Sequence, residues 1–364
     1  MINWIGYYVE YDGYGRYSSR IVRELQKLVQ VKPATIPHLD MPPWMQEQEG
    51  LDWKELTISF MPPYLLQAVP GRHWLYSMTE GSRIPDEWVD KINDSGVERV
   101  LVPCAHNADA FRTSGVLAPV DVCCGGTDPQ EFSIVPRHRR ENEPYTFLTI
   151  ADRGYRKGWD EVREAFYLAF GGKTHGRQDV RLIIKLRPRD ADYNSHFKMM
   201  ANAIGADKRV LWQVSDSKDM RRVYLQADCV ALPSRSEGWG MPHREAASMG
   251  IPVITQQYSG MDDGNTDEWA LVVQDGRLEK IPEEADGALG EWRVVDKDAL
   301  AEKMEWCYLN PGGASSFGQR ASRWIRENQT YAHAARNLVE LIDGKIQCQE
   351  DDGFRVGRTA LQMA

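Results

Sequence analysis

The sequence is short of most features that would place it in a specialised class. It has no apolar run approaching the roughly 18 residues a membrane-crossing helix needs, so nothing in it is expected to span a bilayer. Its six cysteines, Cys104, Cys123, Cys124, Cys229, Cys307 and Cys348, include no CxxC pair. Several sit in or beside strand-like runs, as core thiols do, and a reduced, cytoplasmic setting is expected rather than a disulfide framework. The opening residues, MINWIGYYVEYDGYG, offer neither a basic start nor a long apolar stretch, so no secretory signal is expected. Repeats and low-complexity tracts are missing too.

Positive charge is also in deficit. The 364 residues carry a formal net charge of −9, spread as 14 Lys/Arg against 18 Asp/Glu over residues 1–140 and 30 against 35 over residues 141–364. No global basic field of the kind a long polyanion needs is present. Local fields are. From Arg153 to Arg189 ten basic residues face four acidic ones, and from Asp262 to Asp298 twelve acidic residues face four basic ones. A basic stretch on an acidic chain suits a small anionic ligand better than nucleic acid. Peripheral contact with a membrane stays open.

Apolar residues make up 42% and charged residues 27%, ordinary for a soluble globular protein, and the length suggests two domains at roughly 100–200 residues each. Short apolar runs alternate with amphipathic segments, the signature of parallel α/β structure. In the first half, Ile5–Val9, Leu56–Phe60, His73–Ser77 and Arg99–Val102 are expected strands, and Arg16–Val29, Pro85–Asn93 and His106–Thr113 expected helices. Residues 125–144 mix Gly, Pro and charge and read as a linker. The alternation then restarts. Strands are expected at Tyr145–Ile150, Val180–Leu186, Val210–Val214, Cys229–Leu232, Pro252–Thr255 and Trp269–Val273. Helices are expected at Trp159–Phe170, Tyr193–Ala203, Asp219–Gln226, Pro242–Met249, Lys297–Tyr308, Ser315–Glu327 and Tyr331–Ile342. Two doubly wound domains joined by a linker leave a cleft between them, and ligands bind such sheets beyond the carboxyl ends of the strands.

Chemistry concentrates in Leu232–Pro252, LPSRSEGWGMPHREAASMGIP. A buried strand ends at Leu232, a Gly-rich turn follows at Glu237-Gly238-Trp239-Gly240, and Pro242 suits the first turn of a helix. Amide N–H groups in such a turn bind anions or hydroxyl oxygens. Glu237 in the turn and Glu245 in the helix are carboxylates able to accept from a vicinal diol, which ribose and hexose both offer. The bland alternative is a plain strand–turn–helix with surface glutamates. At the first strand-to-helix turn of the second half, Ile150–Trp159 (IADRGYRKGW) groups Arg153, Arg156 and Lys157 before a helix, where cations and amides together suit a diphosphate.

The first of these segments resembles the E-x7-E signature of family 4 glycosyltransferases, P-S-x-x-E-G-F-G-x-P-x-x-E-A-x-x-x-G-x-P-V-I. Here it stands as Pro233-Ser234, Glu237-Gly238-Trp239-Gly240, Pro242, Glu245-Ala246, Gly250 and Pro252-Val253-Ile254, with Trp239 in place of Phe. Val122, Gly126, Asp128 and Phe132 fit a second, more permissive pattern of that family. The resemblance implies the GT-B fold: two Rossmann-like domains facing across a cleft, with C-terminal helices crossing back to the first domain. The expected division is an acceptor-side domain over 1–140, a sugar-nucleotide domain over 141–325, and a returning helix and tail over 326–364.

It also implies roles. Glu245 would grip the ribose hydroxyls, Glu237 would contact the transferred sugar, and the amides of Gly238, Trp239, Gly240 and Met241 would line the donor pocket. Lys157 and an Arg of the same turn would bind the donor phosphates; Arg153 is preferred to Arg156. The turn Tyr11–Tyr17, with Gly15, resembles the family's first loop, which approaches the donor phosphate, although Gly13 and Gly15 also suit a plain tight turn. On the acceptor side the sequence marks little. Glu80 either faces the cleft, to orient an acceptor hydroxyl, or caps the next helix. The strip Pro42-Pro43-Trp44-Met45 is an acceptor loop, a membrane-touching surface or ordinary packing. His38, His73 and His106 pair with nothing at metal spacing, and His243 is either beside the donor turn or on a helix surface. The nearest approach to a DxD-type pair is Asp262-Asp263, in a loop dense with other acids.

The expected function is therefore retaining, metal-independent transfer from a sugar nucleotide such as a UDP- or GDP-sugar, with no cofactor, to a hydroxyl on a glycan, lipid or small molecule. Three other readings remain: a DNA-modifying enzyme acting on a hydroxymethylated base, with Arg-His-Arg-Arg at 137–140 as its dense basic cluster; a nucleotide-sugar epimerase of the same fold; and a non-catalytic sugar-nucleotide binder.

Overall fold

The computed structural model describes residues 1–9, 12–35, 50–135, 143–151, 154–172, 176–187, 207–215, 219–282 and 288–344. The helix expected at Tyr193–Ala203, the strip 42–45, the basic cluster 137–140, Cys348 and Arg153 lie outside them.

Six strands build the first sheet: β1 (Ile2–Gly6), β2 (Val31–Thr35), β3 (Leu56–Phe60), β4 (His73–Tyr76), β5 (Arg99–Val102) and β6 (Val120–Val122). They lie in the order β2-β1-β3-β4-β5-β6, every neighbouring pair parallel. Parallel sheets are covered on both faces, and β3 (LTISF) accordingly buries every residue. Helix α1 (Gly13–Leu25) follows β1. Asp12 caps it by accepting from the Tyr14 amide at 2.9 Å, and Tyr17, Ile21, Val22 and Leu25 form its buried face at helical spacing. Helices α2 (Asp86–Asp94) and α3 (Ala105–Ser114) follow β4 and β5.

The second sheet consists of β7 (Tyr145–Ile150), β8 (Val180–Leu186), β9 (Val210–Val214), β10 (Cys229–Ala231), β11 (Val253–Gln256) and β12 (Leu271–Val273). Its order is β12-β11-β10-β7-β8-β9, again all parallel, the doubly wound order of a dinucleotide-type sheet. Helices α4 (Trp159–Phe170), α5 (Met220–Tyr224), α6 (Met241–Ser248) and α7 (Thr266–Trp269) connect its strands, and α8 (Lys297–Leu309) packs on α4.

Helix α9 (Pro311–Asn328) lies on α6 and α7. At Thr330 the chain crosses back. That residue pairs with Thr127 and caps α10 (Tyr331–Ile342) through a capping box with His333. Tyr331, Ala334, Ala335, Leu338 and Leu341 of α10 complete the core of the first sheet against Trp4, Tyr17 and Phe60, where the Tyr17 and Phe60 rings stack at 4.8 Å. Each such large apolar side chain contributes about 1.5–3 kcal/mol by leaving water.

Besides the unexpected strand β2, three observed features depart from the sequence expectations. Strand β1 starts at Ile2 and α1 at Gly13, three residues ahead of each expected start. Trp269 ends a helix, and the strand after it begins at Leu271. An antiparallel hairpin, β13 (Gly276–Lys280) with β14 (Glu291–Val295), was not expected at all. It leans on the first half: Arg83 N–H donates to the Leu289 carbonyl at 3.0 Å, and the Trp292 indole donates to the Glu80 carbonyl at 2.9 Å.

Strand order fixes where a ligand can sit. In the first sheet the connections diverge between β1 and β3; in the second they diverge between β7 and β10. The turns leaving those four strands face one another across the cleft.

Candidate active site

A cavity of about 390 Å³ fills this cleft. Lys157, Glu237, Gly238, Trp239, Gly240, Met241 and Glu245 line it from the second half, and Glu80 lines it from the first. Gly15 does not. A Cβ there would lie 2.2 Å from the Val9 carbonyl oxygen, so this glycine lets α1 close against the preceding turn, while its neighbours Gly13, Tyr14 and Arg16 face the cavity.

The turn after β10 is held in shape from several sides. The Glu237 amide donates to Ser259 Oγ at 2.9 Å, and Ser259 itself adopts φ 51°, a conformation non-glycine residues hold only where their surroundings impose it. Gly240 has φ +75° and precedes α6 directly. At Gly238 a Cβ would stand 2.6 Å from Met78 Sδ, so the turn touches the opposite half here. Trp239, 2% exposed, is inserted into the core of the first half beside Tyr17, and Gly125 leaves it room: a Cβ there would lie 2.6 Å from its indole nitrogen.

Beneath the turn runs the Arg244 guanidinium, fully buried, with its Cζ 3.7 Å from the Trp239 ring centroid and 4.7 Å from that of Trp269. It donates to the carbonyls of Trp239 and Gly260 and to Gln329, and it pairs with Asp263 at 2.8 Å. Asp263 also accepts from the Trp269 indole at 3.0 Å and from Gln329. Half of the Asp262-Asp263 pair is thus committed to this support. Among the described residues, no three His, Cys, Asp or Glu side chains are gathered where they could hold a metal ion.

The two glutamates of the motif are buried, which removes the surface-glutamate alternative. Glu237 accepts from Lys157 Nζ at 2.6 Å and pairs with Arg156 at 3.1 Å. Burial pushes its carboxyl up, but Lys157 and Arg156 outweigh that and hold it well below the usual carboxylate range, so it stays anionic. Lys157 is pulled down by burial, against the opposing pull of Glu237. Arg156 spans the cleft. One side meets Glu237 and the Ser236 carbonyl at 2.5 Å, and the other meets Glu80 at 2.8 Å. The helix-cap alternative for Glu80 falls, because the cap position of α2 is Pro85, with no side-chain cap hydrogen bond.

Glu245 is bound across the cleft as well. One oxygen lies 3.0 Å from the Arg16 guanidinium, and the other accepts from Tyr224 Oη at 2.7 Å. Arg16 also reaches Glu131 at 3.3 Å. His243 is no surface residue. It is fully buried, donates through Nε2 to the Leu232 carbonyl at 2.8 Å, and is pushed down to about 4 by burial, against the pull of Glu237.

Sequence reasoning ranked Arg156 second to Arg153 and passed over Arg16, Lys185 and Arg187, which all add cations to the cavity wall. Lys185 carried a signal: it is the one charge near the carboxyl end of the apolar run VRLIIKL, and a lysine there must be buried or functional. Arg16 carried a weaker one, as a cation in the first turn of a helix, where the dipole disfavours it without an anionic partner.

The sequence model of glycosyl transferases group 1 matches residues 131–324. The chain belongs to that family. A D-inositol 3-phosphate glycosyltransferase of Corynebacterium kroppenstedtii is 26% identical over 240 residues, covering 63% of this chain and 49% of that one. The uncharacterized glycosyltransferase 335 of Sulfolobus islandicus rod-shaped virus 1 is 31% identical over 71 residues, 20% of this chain and 21% of its own length. The chain spans half or less of the length of these curated relatives. Among solved structures, the sucrose-phosphate synthase of Thermosynechococcus elongatus superposes with a TM-score of 0.67 at 14% identity, over 94% of this chain and 98% of that one. Anabaena HepE, solved with UDP and glucose, gives 0.67 at 10% identity over 94% and 99%. These likenesses, with the two parallel sheets, make the fold GT-B. No helix among the described residues is long and apolar enough to cross a membrane.

Proposed function

We propose that this group 1 member is a retaining, metal-independent glycosyltransferase of the family 4 kind, acting in the cytoplasm and moving a sugar from a nucleoside-diphosphate donor to an acceptor hydroxyl. The observation that carries this reading is the placement of Glu237 and Glu245, both anchored by cations, on either side of the Gly238–Met241 turn at the head of α6. HepE, of the same fold, was solved with UDP and glucose, which supports a nucleotide sugar in this cleft.

In this reading Glu245 receives the ribose hydroxyls, since each carboxylate oxygen accepts more than one hydrogen bond. The diphosphate lies against Arg156 and Lys157 at the turn after β7, with Arg153 of the same turn as a further phosphate ligand and Lys185 and Arg187 adding positive potential. These fixed cations carry the growing charge of the leaving group and do the work a divalent ion would do. Glu237, held anionic, accepts from hydroxyls of the transferred sugar and faces the oxocarbenium-like centre as the glycosidic bond breaks. It donates no proton, because its partners keep it ionised. The acceptor hydroxyl attacks from the face the diphosphate leaves, and the departing phosphate oxygen takes its proton. The experiment is NMR of fresh product made from an α-linked donor whose sugar has an axial H2, such as UDP-glucose. The small anomeric coupling of an α-linkage is expected, and a β-linked product overturns the mechanism.

A further inference from the structure

The wall of the cavity formed by the first half differs in kind from the wall assigned to the donor. Besides Tyr17, four aromatic rings line it: Tyr7 just past β1, Tyr14 in α1, Tyr64 in the 3₁₀ turn Pro63–Leu65 after β3, and Trp88 in α2. They are arranged as two tilted pairs. Tyr7 and Tyr14 have centroids 6.2 Å apart at 56°, and Tyr64 and Trp88 have centroids 5.9 Å apart at 41°. Tyr64 is 53% exposed beside the cavity, an uncommon place for a ring that only packs. Asp12 and Glu80 sit on the same wall.

Cations there are spoken for. Arg16 is shared between Glu245 and Glu131, and Lys91, next to Trp88's turn of α2, donates to the Tyr64 carbonyl at 2.6 Å. Arg156, at the edge of this wall, is flanked by the carboxylates of Glu80 and Glu237, and Lys157 pairs with Glu237 as well, so the charges of this cluster balance and none of its cations lacks a carboxylate.

We propose that this wall receives a neutral, unphosphorylated sugar ring as the acceptor. The inference rests on the transferase reading above and names the acceptor class for that same site. A pyranose offers an apolar C–H face to an aromatic ring and a rim of hydroxyls to carboxylates and phenols, and this wall supplies both. A wholly apolar acceptor would strip water from Asp12 and Glu80 without replacing its hydrogen bonds. A phosphorylated sugar would bring its charge beside Asp12 and Glu80, where, among the described residues, Arg16 and Arg156 are already paired with carboxylates. The Tyr7 hydroxyl, pushed up to about 12 by burial and by neighbouring Tyr64 and Asp12, remains a neutral donor across the physiological range. On this reading the chain differs from fold relatives named for a phosphorylated sugar, such as the sucrose-phosphate synthase.

The test uses the whole chain with UDP-glucose and GDP-mannose as donors. The acceptors are matched pairs: glucose and glucose 6-phosphate, mannose and mannose 6-phosphate, myo-inositol and inositol 1-phosphate. Release of nucleoside diphosphate is the readout. The neutral member of at least one pair is expected to give a kcat/KM about 100-fold above its phosphate, the size of effect that juxtaposed like charges produce. Tyr64→Ala and Trp88→Ala are each expected to raise the acceptor KM about 10-fold, the loss of one stacking face. UDP and GDP titrations of the same variants report whether they remain folded. Preference for the phosphate, equal use of both members, or donor turnover with no acceleration by any sugar overturns the inference and leaves the transferase reading standing. If neither nucleotide binds, the donor-site reading itself fails, and this inference fails with it.

Discussion

Glu245→Gln separates the proposed ribose contact from a merely structural role. The wild-type carboxylate is 3% exposed and fastened by Arg16 at 3.0 Å and Tyr224 at 2.7 Å. Glutamine keeps its shape. With the amide oxygen turned to Arg16, its NH₂ meets the Tyr224 hydroxyl, which then accepts instead of donating. Arg16 retains Glu131 at 3.3 Å, so no buried charge is stranded and the fold should lose only about 1–2 kcal/mol. A nucleotide fares worse. Its ribose hydroxyls lose a charged acceptor, typically about 1.5–3 kcal/mol, which converts to an affinity about 10- to 150-fold weaker. Tyr224→Phe is the control: it removes one hydrogen-bond donor from Glu245, keeps the charge, and should weaken binding only a few-fold. The assay is calorimetric titration of UDP and GDP alongside a thermal melt. A Glu245→Gln protein that melts near the wild-type temperature and binds its nucleotide with wild-type affinity refutes the ribose contact.

Lys157→Ala should lower kcat by more than it weakens donor binding, since charge on the leaving diphosphate grows in the transition state while Arg156 still pairs with Glu237 at 3.1 Å; equal kcat in the variant, by single-turnover kinetics, would make Lys157 a ground-state contact only. Turnover should survive EDTA, and abolition reversed by Mg²⁺ or Mn²⁺ would contradict fixed-cation chemistry. Gly240→Ala should cost about 1–2 kcal/mol, because its φ of +75° disfavours any Cβ, and a melting temperature unchanged in calorimetry would show that the turn relaxes. Stability should fall as pH drops from about 6.5 towards 4. His243 is held neutral down to about 4 in the folded chain, whereas the unfolded chain protonates it near 6.5, so acid favours the unfolded state over that window. His243→Gln should flatten part of this slope in pH-dependent melts, and an unaltered slope would locate the proton uptake elsewhere.

The turn and helix at 237–248 were legible because many fixed positions coincide there and each has a local physical reason: glycines where the backbone turns, a proline in the first helical turn. Features defined by distant partners were not. Strand β2 was missed because VKPAT contains Pro33, which argues against a central strand; β2 lies at the sheet edge, where a missing N–H is tolerated. The β13–β14 hairpin was hidden by its charge, and much of its anchorage comes from residues 80–83, some two hundred positions earlier. The preference for Arg153 over Arg156 rested on the spacing to Lys157 in the family motif, and Arg153 lies outside the described residues. Side-chain direction in the short 3₁₀ turn Gly154–Lys157 brings Arg156 onto Glu237 and Glu80, and no periodicity reports it. Arg16 gains its meaning only beside Glu245, which lies in the other half of the chain.

Trp239 belongs to one half by sequence and to the other by packing. A cut in the connecting segment would therefore not yield two clean pieces. Residues 1–126 expressed alone would carry an indole-sized hole above Gly125 and a bare face where α10 should lie, and the remainder would expose a tryptophan and the apolar side of a helix with nothing to cover them. The donor turn and the last helix thus share a single apolar cluster with the first sheet, so a change in the packing of either is felt by the other.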